Sequence, residues 1–503
     1  MSSSIERSNG FLPLAPLRHA GATAVGVWDM DRAGGVTPAM ELPANGSPRP
    51  GSPVPGAPAP EAPAPEAPGP EPSDQLVLVR LHQQPLAILH LGVAGGAVTR
   101  DALMAAAWPA AGEAILNHIT RCRCLPAAEG AGELSMLLDA AARASSDAGS
   151  APGAARPCPG GTARRPPGKA AVILCTTGAD QDQLRRSLQA LAAVRDDDFG
   201  LVLVDNRPRS GSATLTLVES FVSRVRIRYV AEPLPGLARA RNAGLQAAGD
   251  AAYVAFTDDD AVVDPGWLAW LLDPFYDDGV AAVTGLVMPL QLGSAAEKRF
   301  EHYAGFGKGV ERAVYDLNEH AAPERFLYPY WGGMFGSGNS MAFRRDALLA
   351  VGGFDTALGA GTPTAGGEDL AAFTDVILGG GRLVYEPRSL CWHQHRGDEQ
   401  ALRAQIRNYG IGLTAVLWRY LMTDWRFSAS VLRSLPAIAR LARSRSDDRN
   451  SDRLPSDLAR LELRGRLLGP WRYLQSRHRV GAAGQITGRR HQEADQAGVQ
   501  TRT

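Results

Sequence analysis

Cysteine is scarce in this chain: five residues in 503, namely Cys122, Cys124, Cys158, Cys175 and Cys391. An odd number, widely scattered, does not read as a disulfide framework and points to a reducing cytoplasm. Cys122 and Cys124 form a C-x-C pair. No second pair or His set stands near them to complete a four-ligand zinc site, so they read as two stray thiols. Net charge is also missing, because Lys plus Arg and Asp plus Glu number 52 each. That removes any electrostatic argument for nucleic acid as partner. No run approaches the ~20 consecutive apolar residues that cross a bilayer. The start, MSSSIERSNGFLPLAPLRHAG, lacks the basic end, apolar core and cleavage site of a signal peptide. The expectation is a cytoplasmic protein, soluble or at most peripheral at the inner face of the cell membrane, with room for two or three domains.

Proline and glycine, at 36 and 55, are plentiful, and the prolines crowd together. Ser47–Ser73 is a Pro-Ala-Glu tract that cannot bury a core and favours extended conformers. Residues 1–73 are therefore expected to be a disordered linker. Residues 74–148 read as a small unit. Leu76–Leu91 suggests two short strands around a Gln-Gln-Pro turn, and the following segment suggests a helix broken near Pro109. Residues 149–168, rich in Gly, Pro and Arg, read as a second linker.

From Lys169 the pattern changes. AAVILCTT, FGLVLVDN, VRIRYVAE and AAYVAFTDDD are short apolar runs, each separated from the next by a segment with helical spacing. Alternation of this kind predicts an α/β domain over 169–400, an open, mostly parallel sheet flanked by helices. Ligands bind beyond the carboxyl ends of such strands, which places Asp205 and the run Asp258, Asp259, Asp260 at the ligand edge. Residues 401–480 read as helical and 481–503 as a flexible tail. Ile406–Ala442 mixes apolar residues and Arg at helical spacing, which fits a helix packed on the domain or an amphipathic helix at a membrane surface.

Several groups of residues have chemical potential, each with a structural alternative. Three adjacent carboxylates repel one another, and a hard divalent cation would offset that; a solvated acidic loop is the other reading. Asp205 could accept from a base or a sugar hydroxyl, or form an Asx turn. Arg239, Arg241 and Asn242 near a helix start could hold phosphate, or form a solvated face. Glu368-Asp369 after two glycines could supply a general base, or an acidic first helical turn. His393 and His395 stand two apart beside Trp392 and Arg396, facing one side if the segment is extended. They suit a metal or a phosphate, or a purely structural role.

Taken in order, AAVILCTT, LVLVDN, GLARARNAGL, FTDDD, GSGNSMAFRRDALLAVGGFD, GGED and WHQHR resemble the family 2 glycosyltransferases of GT-A fold, over about Ala170 to Tyr420. The resemblance implies an inverting transferase that moves a sugar from a nucleotide-diphosphosugar to a hydroxyl of a carbohydrate or lipid-linked acceptor. Mn²⁺ or Mg²⁺ would assist. Carried onto this sequence, Thr176, Thr177 and Asp205 would contact the nucleoside. Asp258 would lie near ribose and pyrophosphate, with Asp259, Arg241 and Asn242 also on the donor side. Gly338 and Asn339 would line the donor sugar. Asp260 would ligate the cation with His393, which lies 24 residues after Asp369; His395 is the runner-up. Asp369 would be the general base, with Trp331, Gly332, Gly333 and Glu368 on the acceptor side. Thr176-Thr177-Gly178-Ala179 departs from relatives that carry Arg or Asn there. A nucleotidyltransferase would call for a basic, Gly-rich loop that Thr176–Gln183 lacks, and a non-catalytic polysaccharide-binding scaffold would be expected to lack one acidic cluster.

Overall fold

The computed structural model describes residues 23–30, 37–38, 73–93, 100–122, 136, 162–196, 198–208, 213–318, 328–429, 431 and 455–497. Residues 47–72 of the Pro-rich tract and most of the second expected linker lie outside them. The described residues fall into two compact units. One is drawn from Leu12–Ala163 with Pro289–Lys298, the other from Arg164–Met288 with Arg299–Thr503.

The first unit is a small sheet with one helix. Strands β1 (Thr23–Asp29), β2 (Thr37–Pro38), β3 (Ser73–Leu81) and β4 (Gln84–Val93) lie in the order β2-β1-β3-β4. β1 falls inside the segment expected to be linker. It forms because TAVGVW is apolar enough to be buried: Trp28 is 0% exposed, and β1 pairs in parallel with β3 over its whole length. The β3–β4 turn sits one residue earlier than the sequence suggests, on His82 and Gln83, both at positive φ, the conformation that a two-residue hairpin demands. Helix α1 (Arg100–Cys122) runs through Pro109 instead of breaking there. Leu103, Met104, Ala107, Ala111, Ile115 and Ile119 are all buried on one face across the proline. That continuous packing outweighs the one lost hydrogen bond.

From Ala170 onward, in chain order, come β5 (Ala170–Thr176), α2 (Gln181–Ala192), β6 (Phe199–Asn206), α3 (Ala213–Glu219), β7 (Ile227–Glu232), α4 (Leu237–Ala247), β8 (Tyr253–Asp258), β9 (Ala261–Val263), α5 (Trp267–Leu272), β10 (Val280–Pro289), α6 (Ala295–Ala304), β11 (Ala313–Tyr315), β12 (Met341–Arg344), α7 (Arg345–Ala350), α8 (Glu368–Leu378), β13 (Arg382–His393), α9 (Glu399–Thr423) and α10 (Ser456–Ala497). The sheet order is β11-β13-β10-β12-β8-β5-β6-β7, with β9 on β13. β8, β5, β6 and β7 are parallel. β12 is antiparallel to both β8 and β10, so the sheet is mixed beyond β8. In the parallel half, Thr176 pairs with Asp205 and Cys175 with Asp258. The carboxyl ends thus line up along one edge.

Helices α9 and α10 pack side by side. Arg403 bonds Asp457 near their starts, and Thr414 bonds the Arg466 carbonyl further along, so the two run in the same direction. Glycines allow the approach. A Cβ on Gly465 would collide with the Arg407 carbonyl, and one on Gly469 would lie 2.6 Å from the Ile411 carbonyl. The expected boundary between helical region and tail at 480/481 falls inside α10, which continues to Ala497. No proline follows Pro470 to stop it.

Candidate active site

The site forms where three chain segments meet the carboxyl edge of the parallel strands. Asp258 ends β8, and Arg241, from the middle of α4, reaches it. The Arg241 guanidinium is 2% exposed. One nitrogen donates to Asp258 Oδ1 at 3.0 Å and to the Gly338 carbonyl at 3.2 Å, the other to Glu368 Oε1 at 2.7 Å. Sequence reasoning left Arg241 between a phosphate contact on the donor side and a solvated basic face. In the structure it is buried between two acidic groups, which excludes the solvated face. Burial pushes Asp258 up against the pull of Arg241. Burial also pushes Glu368 up to about 7, opposed by Arg241 and reinforced by Asp369 next to it.

Asp369, in the first turn of α8, is held by backbone. Its Oδ2 accepts the Gly338 N–H at 2.9 Å and its Oδ1 the Leu370 N–H at 2.8 Å. Both contacts leave lone pairs free. Gly338 is required here, since a Cβ would lie 2.8 Å from Asp369 Oδ2 and 3.0 Å from Arg241. Gly367 caps the helix at φ 96°, and a Cβ there would press on Val416 at 2.7 Å. Gly332 abuts the Leu370 backbone, which brings the segment Trp331–Gly333 beside Asp369. Trp331 is 38% exposed, as an aromatic offered to a ligand would be.

On the other side, Asp260 Oδ2 lies 3.3 Å from His393 Nε2, at the end of β13. Asp260 Oδ1 is buried with no partner among the described residues. Burial opposes charge on Asp260, but the neighbouring His393 outweighs it and holds the carboxyl low. For His393, burial works against the imidazolium, while Asp260 and Asp258 draw it upward. The two histidines part company here. His393 Nδ1 is 3.2 Å from His395 Nδ1, and His395 Nε2 is 2.8 Å from Glu301 Oε2. His395 therefore stands behind His393 and is anchored by Glu301. No motif marks Glu301, which lies 94 residues away in sequence.

Among the described residues no group of three His, Cys, Asp or Glu side chains could by itself hold a metal ion. Asp260 and His393 offer two donors, and one oxygen of the Asp260 carboxylate is buried with no hydrogen-bond partner among the described residues. Mg²⁺ and Mn²⁺ are commonly held by one or two protein ligands together with substrate phosphates, so the donor set fits. An imidazole donor favours Mn²⁺ over the harder Mg²⁺.

The remaining candidates divide. Asp205 is 1% exposed and accepts from Tyr229 Oη at 2.8 Å, a partner the sequence did not reveal. Thr176 donates to Asp259 and accepts the Gly178 N–H at 2.9 Å; burial pushes Asp259 up to about 7 despite that hydroxyl. Thr177 is exposed beside it. Asn339 is 3% exposed, with Oδ1 unpartnered among the described residues. Asn242, expected on the donor side, is taken up elsewhere. Its amide donates to the Phe354 carbonyl at 2.8 Å and accepts the Phe354 N–H at 2.9 Å, tying α4 to the loop after α7.

Residues 171–352 match the family model described as Glycosyl transferase family 2. The pre-mycofactocin glycosyltransferase of Mycobacterium tuberculosis is 31% identical over 229 residues, 45% of this chain and 43% of that protein. The glucosyl-dolichyl phosphate glucuronosyltransferase of Haloferax volcanii is 31% identical over 125 residues, 25% of this chain and 36% of that protein. The chain thus spans less than half the length of either curated relative. Among solved structures, a mannosyltransferase of Pyrobaculum calidifontis in complex with GDP-Man and Mn²⁺ has a TM-score of 0.40 at 18% identity, covering 61% of this chain and 88% of that one.

Proposed function

We propose, since residues 171–352 match the family model described as Glycosyl transferase family 2, that this chain is an inverting glycosyltransferase that moves a sugar from a nucleoside-diphosphosugar to an acceptor hydroxyl. The observation that carries this reading is the pair of acidic groups on either side of Arg241. One ends at Asp260 with an unpaired oxygen beside His393; the other ends at Asp369, fixed by two backbone N–H groups. Inversion in one displacement needs the nucleophile and the leaving group on opposite faces of the sugar. Two separated carboxylate stations meet that need.

In this mechanism Asp205, Thr176 and Thr177 receive the nucleoside, and Asp258 and Asp259 face ribose and pyrophosphate. Gly338 and Asn339 line the donor sugar. Asp260 and His393 would hold Mn²⁺, which when bound would neutralise charge on the departing diphosphate without a proton. Asp369 takes the proton from the acceptor hydroxyl as it attacks. Gly338 and Leu370 keep that carboxylate aimed, while Trp331, Gly332 and Gly333 bound the acceptor side. Arg241 and Asn242 hold the scaffold, and Glu301, through His395, fixes the orientation of His393.

The test is Mn²⁺-dependent hydrolysis and transfer over a panel of nucleotide sugars. Asp369→Asn should lower turnover by roughly 10²–10⁴-fold with nucleotide binding retained. Asp260→Ala should abolish the stimulation by Mn²⁺. Nucleotide-sugar binding that ignores both Mn²⁺ and Asp260→Ala would overturn the assignment.

A further inference from the structure

The face of α10 turned away from α9 has no counterpart in sugar chemistry. Gly465, Gly469, Tyr473 and Ser476 are buried toward the protein. On the opposite side Leu463, Leu467, Trp471 and Leu474 are 57%, 74%, 66% and 43% exposed. Their spacing of four, four and three residues stacks them in one stripe about 16 Å long. Large apolar side chains scattered singly on a surface are ordinary; four in register are not.

The charges around the stripe are of one sign. Arg460, Arg464, Arg477 and Arg479 are exposed on the same helix. Between Leu458 and Gly481 the one acidic residue is Glu462, which is turned inward and bonded to Arg466 and Tyr303. By helical spacing Arg464 and Arg477 stand on the two flanks of the stripe. An isologous contact with a second copy of this chain would set these guanidinium groups against one another with no carboxylate between them. An anionic lipid surface has the complementary charge, and its interfacial zone suits Leu and an indole between Arg side chains. Trp425, just past α9, is a second indole, 74% exposed.

We propose that the outer face of α10 docks this protein, in the plane of the surface, on membranes that contain anionic lipid. The apolar stripe enters the headgroup boundary, and the arginines bind lipid phosphates. No helix of the described residues is long and apolar enough to cross a membrane. It does not depend on which sugar is transferred.

The full chain would be sedimented with vesicles of phosphatidylcholine alone and of phosphatidylcholine with phosphatidylglycerol, at low and high salt. Binding to the anionic vesicles at low salt is expected, weakened by salt, with a blue shift of tryptophan emission. Leu467→Ser/Trp471→Ser should lower partitioning at least about tenfold. Arg464→Glu/Arg477→Glu should erase the preference for phosphatidylglycerol. All four positions are exposed, so circular dichroism should match the parent. No pelleting of the parent protein at low salt, or equal pelleting of all variants, would overturn the proposal. So would a parent dimer in sedimentation velocity that Leu467→Ser/Trp471→Ser converts to monomer without any vesicle binding, since the stripe would then be a self-association face.

Discussion

At the scale of single residues, the side chain that organises the site is a cation and not one of the carboxylates. Arg241 satisfies Asp258, Glu368 and the Gly338 carbonyl at once, and Gly338 in turn donates to Asp369. Removing one partner of a buried ion pair leaves its counter-charge stranded, at a cost of about 3–5 kcal/mol. Arg241→Met is therefore expected to lower the unfolding free energy measured in urea by that order, seen as a lower midpoint at unchanged slope. The penalty should depend on pH. With Arg241 present, Glu368 loses its proton near 7; without it the folded protein holds that proton to higher pH. The variant should thus lose further stability, relative to the parent, as pH rises from about 7. A pH-independent penalty would mean that Glu368 carries no charge in the parent. The acidic groups were legible in the sequence because they close apolar strands or follow glycines. The partners of Arg241 were not, since Glu368 is 127 residues away and a guanidinium near a helix start fits a phosphate equally well.

Among the elements, the parallel strands were legible because burial on both faces leaves a continuous apolar run, as in AAVILCTT. β12, four residues long, gives no such signal, and its antiparallel insertion between β8 and β10 was invisible to spacing. β1 was hidden by its neighbours' composition, and α1 by a proline that its packing overrides. The α9–α10 pair was read only as helical, because glycines in a helix normally argue against it. Here they are the contact. Gly465→Val would drive a side chain into the Arg407 backbone, and such overpacking costs about 1–3 kcal/mol. Lower thermal stability is expected, measured by circular dichroism. The exposed Gly481 is the control: nothing lies within 4 Å of a Cβ there, so Gly481→Ala should be neutral or slightly stabilising.

For the molecule as a whole, ligand and stability are linked, because whatever binds the folded chain alone stabilises it. Mn²⁺ with a nucleoside diphosphate at about 100 times its dissociation constant should add about 2.7 kcal/mol. The gain should appear as a rise in melting temperature, vanish with EDTA and be absent from Asp260→Ala. An equal rise produced by the nucleotide with EDTA present would overturn the assignment of a cation to Asp260 and His393.

The common direction of α9 and α10 carries a consequence for how the chain reaches this state. Two antiparallel helices can be joined by a short hairpin, but two that point the same way need a connection about as long as the helices themselves. Their hydrogen bonds accordingly join residues 52 and 54 positions apart. Contacts of such separation form only after the entropy of closing the loop has been met. The α9–α10 seam thus carries a loop-closure cost about 2 kcal/mol above that of a five-residue helical hairpin, which its packing has to offset.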